Sequence, residues 1–414
     1  MNYPSHIPLL QIFNTVNLTT MDLVYWLAVL IPLVMMPIVL PMVVLMARRK
    51  RLTDNPNARK AQNRPVPVMG GTVIMLVICV TSVIINIFYD MGNLFPVVCV
   101  MTILYIFGML DDIIGLSWQF KFCLQVLVIM LLFFGCNYGV HTFYGLFGIE
   151  TMPLWADCLV TLFSGLLFLN AVNFADGIDG LASGIGLLAG LVMGYWNYRH
   201  DYETQAILSF IMVGVLFTFF IFNVFSKRYK MYMGDSGSLV LGLFIFLMAC
   251  PEPAMVGARE FLADNYIVSF LTALLSAIIF DLLRVATARV LEGKSPFHPD
   301  RTHLHHILVD VGLSHLLATL WIIFGNLIVL GIWYLTASMG MNANLQFLVV
   351  ILTAVAVFWG KYYHIVYLRE HKPKRYSRLA ARCRLASNRA DKFSNLITRI
   401  IDGGPRQIIK HSIE

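Results

Sequence analysis

The chain has 414 residues, of which 58% are hydrophobic and only 13% are charged. A soluble domain usually carries about 25% charged residues, so this composition excludes an ordinary soluble protein. The net charge of +7 is expected at a membrane surface and does not indicate nucleic-acid binding.

Long apolar runs predict the fold. A membrane-spanning helix needs about 20 mostly apolar residues, and eleven runs of this kind can be placed in the sequence. We therefore predict an all-α polytopic membrane helical bundle with about 11 transmembrane helices. The runs cover approximately residues 23–46, 70–89, 94–110, 120–135, 155–172, 181–197, 206–225, 236–250, 266–288, 316–336 and 344–366.

Positive charge predicts the orientation. Lys and Arg concentrate in cytoplasmic loops, and with eleven spans all of them except Arg199 and Arg259 fall on one side. We therefore predict an N-terminus outside the cell and a cytoplasmic C-terminus. The predicted division is a transmembrane catalytic domain at 1–370 and a basic cytoplasmic tail at 371–414.

The first loop and the third run supply the first candidate site residues. RPVPVMGG at residues 64–71 either anchors the loop or lines a site. Asp111 and Asp112 end the third run in the sequence DDIIG, and Lys121 opens the fourth. Adjacent carboxylates repel one another unless they share a cation or a proton. This pair therefore indicates a metal or proton-transfer role, with helix termination as the alternative for one Asp and membrane anchoring as the alternative for Lys121.

The segment NAVNFADGIDG, residues 170–180, is the most polar boundary between two runs. Asn173, Asp176 and Asp179 are spaced by three, so a helical segment would place them on one polar stripe. Ionisable groups at a membrane boundary are costly to desolvate and usually functional. A helix cap followed by a turn is the structural alternative.

Asp235 lies in the sequence MGDSGSL, directly before the eighth run. A turn of small residues that leads into a helix offers free backbone N–H groups to a phosphate. An N-cap would also explain the aspartate. Its coincidence with the two other acidic segments favours a site.

A polar loop, GKSPFHPDRTHLHHILVDVG, follows the ninth run and contains Arg301, His303, His305 and His306. It has no cysteine, and its spacing fits no common zinc finger. Imidazole and guanidinium groups together indicate contacts with phosphate or sugar hydroxyls. A solvated polar loop is the alternative.

The basic tail contains an apolar stripe at helical spacing between Phe393 and Ile401. This pattern predicts an amphipathic helix on an anionic bilayer surface. We expect the helix to stop at Gly403–Pro405 and to serve as an anchor separate from the site.

All of these polar groups fall on the predicted cytoplasmic side. Carboxylate and amide oxygens suit Mg²⁺, or Mn²⁺ in its place, which keeps several waters and bridges to substrate phosphates. Basic groups suit the phosphate oxygens themselves. The sequence therefore predicts metal-assisted phosphoryl transfer, with one substrate from the cytoplasm and the other from the bilayer.

Four motifs in this order, DDIIG, NAVNFADGIDGLASG, MGDSGSLVLG and RTHLHHI, resemble the polyprenyl-phosphate N-acetylhexosamine-1-phosphate transferase family. They most resemble its bacterial undecaprenyl-phosphate N-acetylglucosamine-1-phosphate transferase branch. The resemblance implies transfer of a sugar 1-phosphate, by expectation GlcNAc-1-phosphate, from a UDP-N-acetylhexosamine to undecaprenyl phosphate, with Mg²⁺ and release of UMP. It also implies an inner-membrane enzyme with a cytoplasmic site that initiates a lipid-linked surface glycan, such as O-antigen or a cell-wall polymer, and it is compatible with a homodimer.

The resemblance assigns roles to matching positions. Asn173 and Asp235 would hold Mg²⁺, Asp111 and Asp112 would position or deprotonate the lipid phosphate, and Lys121 would bind phosphate. The remaining groups would serve the donor: the nucleotide site would use Asp176 and Asp179, and the sugar-phosphate would contact Arg301, His303, His305 and His306. Direct attack by the lipid phosphate and a covalent Asp intermediate both remain open, as does the choice of N-acetylhexosamine epimer.

Two alternatives compete. A phospho-N-acetylmuramoyl-pentapeptide transferase would have a lysine soon after the paired Asp, where Ile113, Ile114 and Gly115 stand, and Glu closely after the His run, where Ile307 and Leu308 stand. An ion-coupled transporter would have ionisable residues near the midplane and an inverted repeat. Apart from Asp281 the acids lie at the ends of the runs, and we find no repeat.

Overall fold

The computed structural model describes residues 20–50, 53–54, 65–89, 92, 94–250, 266–294 and 302–411. The first half contains a short antiparallel pair, β1 and β2, and seven long helices. These elements are α1 (Thr20–Arg49), β1 (Thr53–Asp54), β2 (Val66–Pro67), α2 (Gly70–Phe88), α3 (Leu94–Ile114), α4 (Trp118–Cys136), α5 (Leu154–Ala175), α6 (Leu181–Arg199) and α7 (Glu203–Phe225).

The second half is also helical. Its elements are α8 (Gly234–Ala249), α9 (Ile267–Leu274), α10 (Ser276–Leu291), α11 (Leu304–Asp310), α12 (His315–Ser338), α13 (Ala343–Ala354), α14 (Gly360–His371) and α15 (Pro373–His411). A π-helical turn, Val355–Trp359, joins α13 to α14.

The prediction of an all-α polytopic membrane protein is confirmed. Each of the eleven predicted runs coincides with a helix or a pair of helices. Within the described residues, eight helices are long and apolar enough to cross a membrane, or nine if the bent pair α9–α10 counts as one span. The eighth run forms only the 16-residue α8, so eleven full spans and the orientation stay predictions.

Helix α8 is the centre of the bundle. Every residue from Ser236 to Met248 is buried, as expected for a helix that is apolar on all sides. It packs against α2, α3 and α5. Small residues allow this packing, because a Cβ on Gly108 of α3 would lie 2.5 Å from the Ser236 Cα. The first turn of α8 is therefore held among the ends of other helices.

The ninth run is bent, whereas a single span was predicted. Helices α9 and α10 meet at an angle of 76°. Asn326 of α12 accepts hydrogen bonds from the Ala277 backbone N–H (2.9 Å) and the Ser276 hydroxyl (2.8 Å), and donates to the Leu274 carbonyl. A broken helix inside a bilayer needs such partners for its freed backbone groups.

The tail forms one helix, α15, that continues to His411, so the predicted stop at Gly403–Pro405 is wrong. The helix also packs on the bundle. The Thr398 hydroxyl donates to the Phe225 carbonyl at 2.6 Å, and Asp402 accepts from the Ser226 hydroxyl at 2.6 Å. These contacts connect the tail to the loop before α8, and the expectation that the tail is not part of the site stays a prediction.

Candidate active site

Four helix ends meet at one point of the bundle. Asp111 lies in the last turn of α3, Lys121 in the first turn of α4, Asn173 near the end of α5 and Asp235 in the first turn of α8. Their contacts with one another define the acidic cluster: Asp111, Asp112, Lys121, Asn173 and Asp235. Three separate sequence motifs therefore converge in space.

Asp235 is the residue that the cluster shares. One carboxylate oxygen lies 3.1 Å from the Lys121 ammonium, and the other accepts a hydrogen bond from the Asn173 amide at 3.1 Å. The same amide donates to the Ser238 hydroxyl at 2.9 Å. Lys121 also forms an ion pair with Asp111. Two carboxylates thus share one lysine ammonium. Their excess negative charge attracts a further cation to this point.

Asp112 fastens the start of α8. It accepts hydrogen bonds from the backbone N–H of Asp235 at 2.8 Å, from the backbone N–H of Ser236 at 3.1 Å, and from the Ser236 hydroxyl at 2.7 Å. A carboxylate that accepts free N–H groups at a helix N-terminus is stabilised by the helix dipole. These bonds fix the position of Asp235, a function that the sequence did not predict for Asp112.

The segment that follows the first loop also orders this turn. The Tyr232 backbone N–H donates to the Pro67 carbonyl at 2.9 Å, and Gly70 and Gly71 donate to Tyr232 and Met233 at 3.0 Å each. RPVPVMGG was expected either to anchor the loop or to line a site, and the structure supports a place beside the site. Its described residues hold the backbone just before Asp235.

The predicted polar stripe of Asn173, Asp176 and Asp179 is wrong. Helix α5 ends at Ala175, Asp176 is its C-cap residue, and Gly180 has a positive φ of 83°. The chain therefore turns before Asp179. Burial raises the pKa of Asp176 well above its ordinary value, and the charge of Asp235 acts in the same direction, which favours a protonated carboxyl.

Asp179 binds a lysine and a histidine away from the acidic cluster. Its carboxylate lies 2.6 Å from the Lys230 ammonium and 2.8 Å from the His315 ring. Burial alone raises its pKa, but these two partners reverse the effect and hold the pKa below its ordinary value. Because Lys230 precedes α8 and His315 opens α12, Asp179 joins two loops at the same end of the bundle.

The histidines form a second cluster beside the first. Asp281 of α10 accepts a hydrogen bond from His303 at 2.8 Å and forms an ion pair with Arg284 at 2.8 Å. The His303 ring stacks on Phe174 and on His305, with centroid distances of 5.2 and 5.5 Å. This arrangement places the histidine cluster, His303, His305 and Asp281, against the end of the helix that carries Asn173.

The Nε2 atoms of His303 and His305 are buried and have no hydrogen-bond partner in the structure. Both histidines line a cavity of about 20 Å³ together with Phe174 and Asp281. Buried ring nitrogens without partners are rare and suit a ligand with polar groups. His306 contacts His305 at a ring distance of 4.2 Å, and Arg301 lies outside the described residues.

Some residues of these clusters were missed from the sequence. Asp281 was seen only as a polar contact in a membrane span, and Arg284, Lys230 and His315 were not singled out. Arg284 was detectable from its spacing, since it lies three residues after Asp281 on one helix face. In the structure it is only 2% exposed. Nothing local in the sequence pairs Lys230 or His315 with Asp179.

The environment of His305 predicts an acid-sensitive fold. Burial lowers the pKa of His305 to about 3 from 6.5, the nearby His306, His303 and His315 act in the same direction, and Asp281 opposes them. Below pH 6.5 only the unfolded chain binds this proton, so stability falls by up to about 1.4 kcal/mol per pH unit.

We expect the apparent melting temperature to fall between pH about 7 and about 5.5, and to fall less in a His305→Gln variant. Thermal unfolding of both proteins in the same detergent measures the difference. Identical slopes with pH in the two proteins would contradict the assignment.

A groove adjoins the acidic cluster. Its cavity of about 180 Å³ is lined by polar groups, among them Lys121, Asn173 and Asp235, and by the apolar rings of Trp118 and Phe122. Both rings belong to α4, a candidate membrane span, and the Trp118 side chain is largely exposed. The groove therefore joins polar groups to an apolar surface of the bundle.

The acidic cluster has a donor set that fits Mg²⁺. Among the described residues, no three His, Cys, Asp or Glu side chains form a preformed metal cluster. Mg²⁺ keeps several waters and takes only one or two carboxylates from the protein in phosphate-binding sites. Asp235, Asp111 and the Asn173 side chain supply such oxygens, and Lys121 already lies between the two carboxylates.

The fold and the site define a multi-pass helical membrane protein with an acidic cluster where its helix ends converge. Comparison with known proteins gives a family match over part of the chain. Residues 94–251 match the family model described as Glycosyl transferase family 4. This match, together with the relatives below, confirms the recognition made from the motifs.

Two relatives illustrate the similarity. The chain is 28% identical over 274 residues to the undecaprenyl-phosphate alpha-N-acetylglucosaminyl 1-phosphate transferase of Escherichia coli (strain K12). The matched segment covers 65% of this chain and 72% of the relative. It is 29% identical over 306 residues to the decaprenyl-phosphate N-acetylglucosaminephosphotransferase of Mycobacterium leprae (strain TN), which covers 67% and 76%.

Proposed function

We propose that this protein transfers N-acetylglucosamine 1-phosphate from UDP-GlcNAc to undecaprenyl phosphate and releases UMP. A lipid phosphate oxygen becomes bonded to the β-phosphorus of the donor, and the bond from that phosphorus to the oxygen of UMP breaks. Both relatives are named as GlcNAc-1-phosphate transferases that act on a polyprenyl phosphate. These names support the general reaction.

The observation that carries the proposal is the junction of the acidic cluster with the apolar groove. A polyprenyl phosphate has a charged head and an apolar chain, and so it requires polar and lipid-facing walls in one site. Lys121 lines the same cavity as the apolar rings of Trp118 and Phe122. Lys121 is the group that would meet the lipid phosphate, since an ammonium pairs well with phosphate oxygens.

We propose that Asp235 and Asn173, together with Asp111, hold Mg²⁺. When bound, the ion would neutralise phosphate charge near the reacting phosphorus. Carboxylates outnumber the single Lys121 ammonium in the acidic cluster, so a divalent cation would relieve their repulsion. Asp112 acts through its three hydrogen bonds to the start of α8 and keeps the Asp235 carboxylate aimed at this point.

The histidine cluster is proposed to bind the donor. Asp281 holds Nδ1 of His303, which leaves Nε2 of this ring for the ligand. Nε2 of His305 is likewise buried without a partner, close to Gly177 in the turn after α5. A sugar-phosphate supplies hydroxyl and phosphate oxygens to such nitrogens. Asp176 would support the nucleotide side of this region, with Asp179 holding the adjacent loops.

The donor is expected to be UDP-GlcNAc. Ile307 and Leu308, which follow the histidines, are 6% and 1% exposed. They therefore belong to the core and provide no polar partner for a lactyl-peptide. The purified protein with undecaprenyl phosphate and Mg²⁺ should turn over UDP-GlcNAc faster than UDP-GalNAc, and both faster than UDP-MurNAc-pentapeptide.

Mn²⁺ in place of Mg²⁺ should support the same ranking, and a reaction with EDTA serves as the control. Preferential turnover of the pentapeptide donor would overturn the assignment of the sugar. We place the enzyme in the bacterial inner membrane with its site facing the cytoplasm, at the first step of a lipid-linked surface glycan, where nucleotide sugars are available.

A further inference from the structure

The helix α15 has two faces with different surroundings. One face, which we call the docked face, contacts the bundle through Ser387, Thr398 and Asp402, and Ser387 and Thr398 are buried. The opposite face exposes four large apolar side chains to 57–63% of their maximum. These are Leu385, Phe393, Leu396 and Ile400.

The exposed face is also basic. At 100° per residue, five exposed basic residues fall on the same side as the apolar side chains. They are Arg378, Arg382, Arg389, Lys392 and Arg399. Asp391 and Asp402 lie toward the docked side, so charge is segregated around the helix. An apolar stripe interspersed with Lys and Arg fits an anionic bilayer surface.

The start of the helix places it at a membrane surface. Helix α14 ends a candidate span, Ala343–His371, and α15 begins two residues later at Pro373. The helix therefore begins next to a bilayer surface, whereas a protein partner would have to be recruited.

The docked face holds the two loops that supply Lys230 and His315, the side chains that bind Asp179. Asp402 accepts hydrogen bonds from the backbone N–H groups of Lys227 (2.8 Å) and Arg228 (3.0 Å), in the loop that carries Lys230.

The second loop is held by Ser387. Its hydroxyl donates to the Gly312 carbonyl at 3.0 Å and accepts from the Ser314 backbone N–H at 2.8 Å. The next residue is His315, the second partner of Asp179. One helix thus bonds to both loops, and the first of them continues into Asp235.

We propose that α15 binds an anionic bilayer surface through its exposed apolar and basic face and, from that position, holds the two loops that fix Asp179. Asp402 is a positioning residue in this account. The inference extends the proposed function, since it makes turnover depend on the lipid surface.

Lipid binding is tested without any activity. In nanodiscs that contain an anionic lipid, a Phe393→Trp variant should show fluorescence quenching by brominated acyl chains beyond that of the parent protein, which has its own tryptophans. Asp391→Trp, on the opposite side of the helix, is the control and should add none. An unquenched indole at Phe393, or equal quenching at both positions, would overturn the bilayer as the partner.

The coupling is tested at Asp402. Asp402→Ala should lower kcat on the order of tenfold, because small displacements of positioned groups are costly. Asp402→Asn should recover part of the rate, because its amide oxygen still accepts a hydrogen bond. Asp391→Ala, a matched loss of charge on the same helix, should leave the rate unchanged.

The loss in Asp402→Ala should come with faster hydrogen exchange at residues 229–233. The acid limb of the pH–rate profile should move to higher pH, because Asp179 is then less firmly paired and its pKa rises. Turnover should also be lower in zwitterionic than in anionic nanodiscs for the parent, and equal in both for Asp402→Ala. Unchanged exchange, or the same lipid dependence in both proteins, would refute the coupling. A parent that transfers nothing would count against the proposed function alone, because quenching and exchange would still decide this inference.

Discussion

An Asp235→Asn variant is expected to lose turnover by roughly 100-fold or more while it still inserts and folds. The change removes one negative charge from the carboxylate that Lys121 and Asn173 both contact. It therefore weakens the binding of a cation that must neutralise a diphosphate. If Asp235 acted only as a helix cap, Asn would replace it equally well. The structure already disfavours the cap, because Met233 occupies the N-cap position of α8.

Transfer rates at several Mg²⁺ concentrations, with thermal unfolding as the control for folding, measure this effect. Partial recovery at high Mg²⁺ would show weakened ion binding. Near-normal turnover at modest Mg²⁺ would reduce Asp235 to a structural residue.

A Gly108→Ala variant is expected to lose activity although the substitution adds one methyl group far along the chain from Asp235. The added Cβ would lie 2.5 Å from the Ser236 Cα and 2.8 Å from the Ser236 backbone nitrogen. Both are backbone atoms, so α3 and α8 must separate. The separation would lengthen the hydrogen bonds that Asp112 accepts from the backbone N–H groups at the start of α8 and would displace Asp235.

We expect turnover to fall at least about tenfold and the free energy of unfolding to fall by about 1–3 kcal/mol. Gly135→Ala in α4 is the matched control, because a Cβ there would meet no atom within 4 Å. Equal activity of the two variants would show that the close packing of α3 on α8 does not position the site.

The sequence predicted the helices and the meeting of the motifs for physical reasons. An apolar run long enough to cross a bilayer has few alternatives to a helix, so hydropathy located every long apolar helix. Polar groups at the ends of such helices have to gather where the ends meet, which is why Asp111, Lys121, Asn173 and Asp235 were grouped correctly.

Other features depend on contacts between distant parts of the chain. The bend between α9 and α10 lies in a continuous apolar run, and its partner Asn326 is on another helix. The stripe predicted for Asp179 failed because α5 ends at Ala175 and the chain turns from residue 176 onward. The docking of α15 rests on single bonds from Ser387 and Asp402, which composition and periodicity do not reveal.

The central claim is that a phosphosugar, and not a sugar alone, is transferred to the lipid. Donor labelled both at the β-phosphorus and in the sugar should be incubated with the purified protein, undecaprenyl phosphate and Mg²⁺, followed by extraction of the lipid. We expect both labels in the lipid at an equal ratio, with unlabelled UMP in the aqueous phase. Sugar label in the lipid with phosphorus label left in UDP would contradict it, as would no lipid label at all from a folded protein.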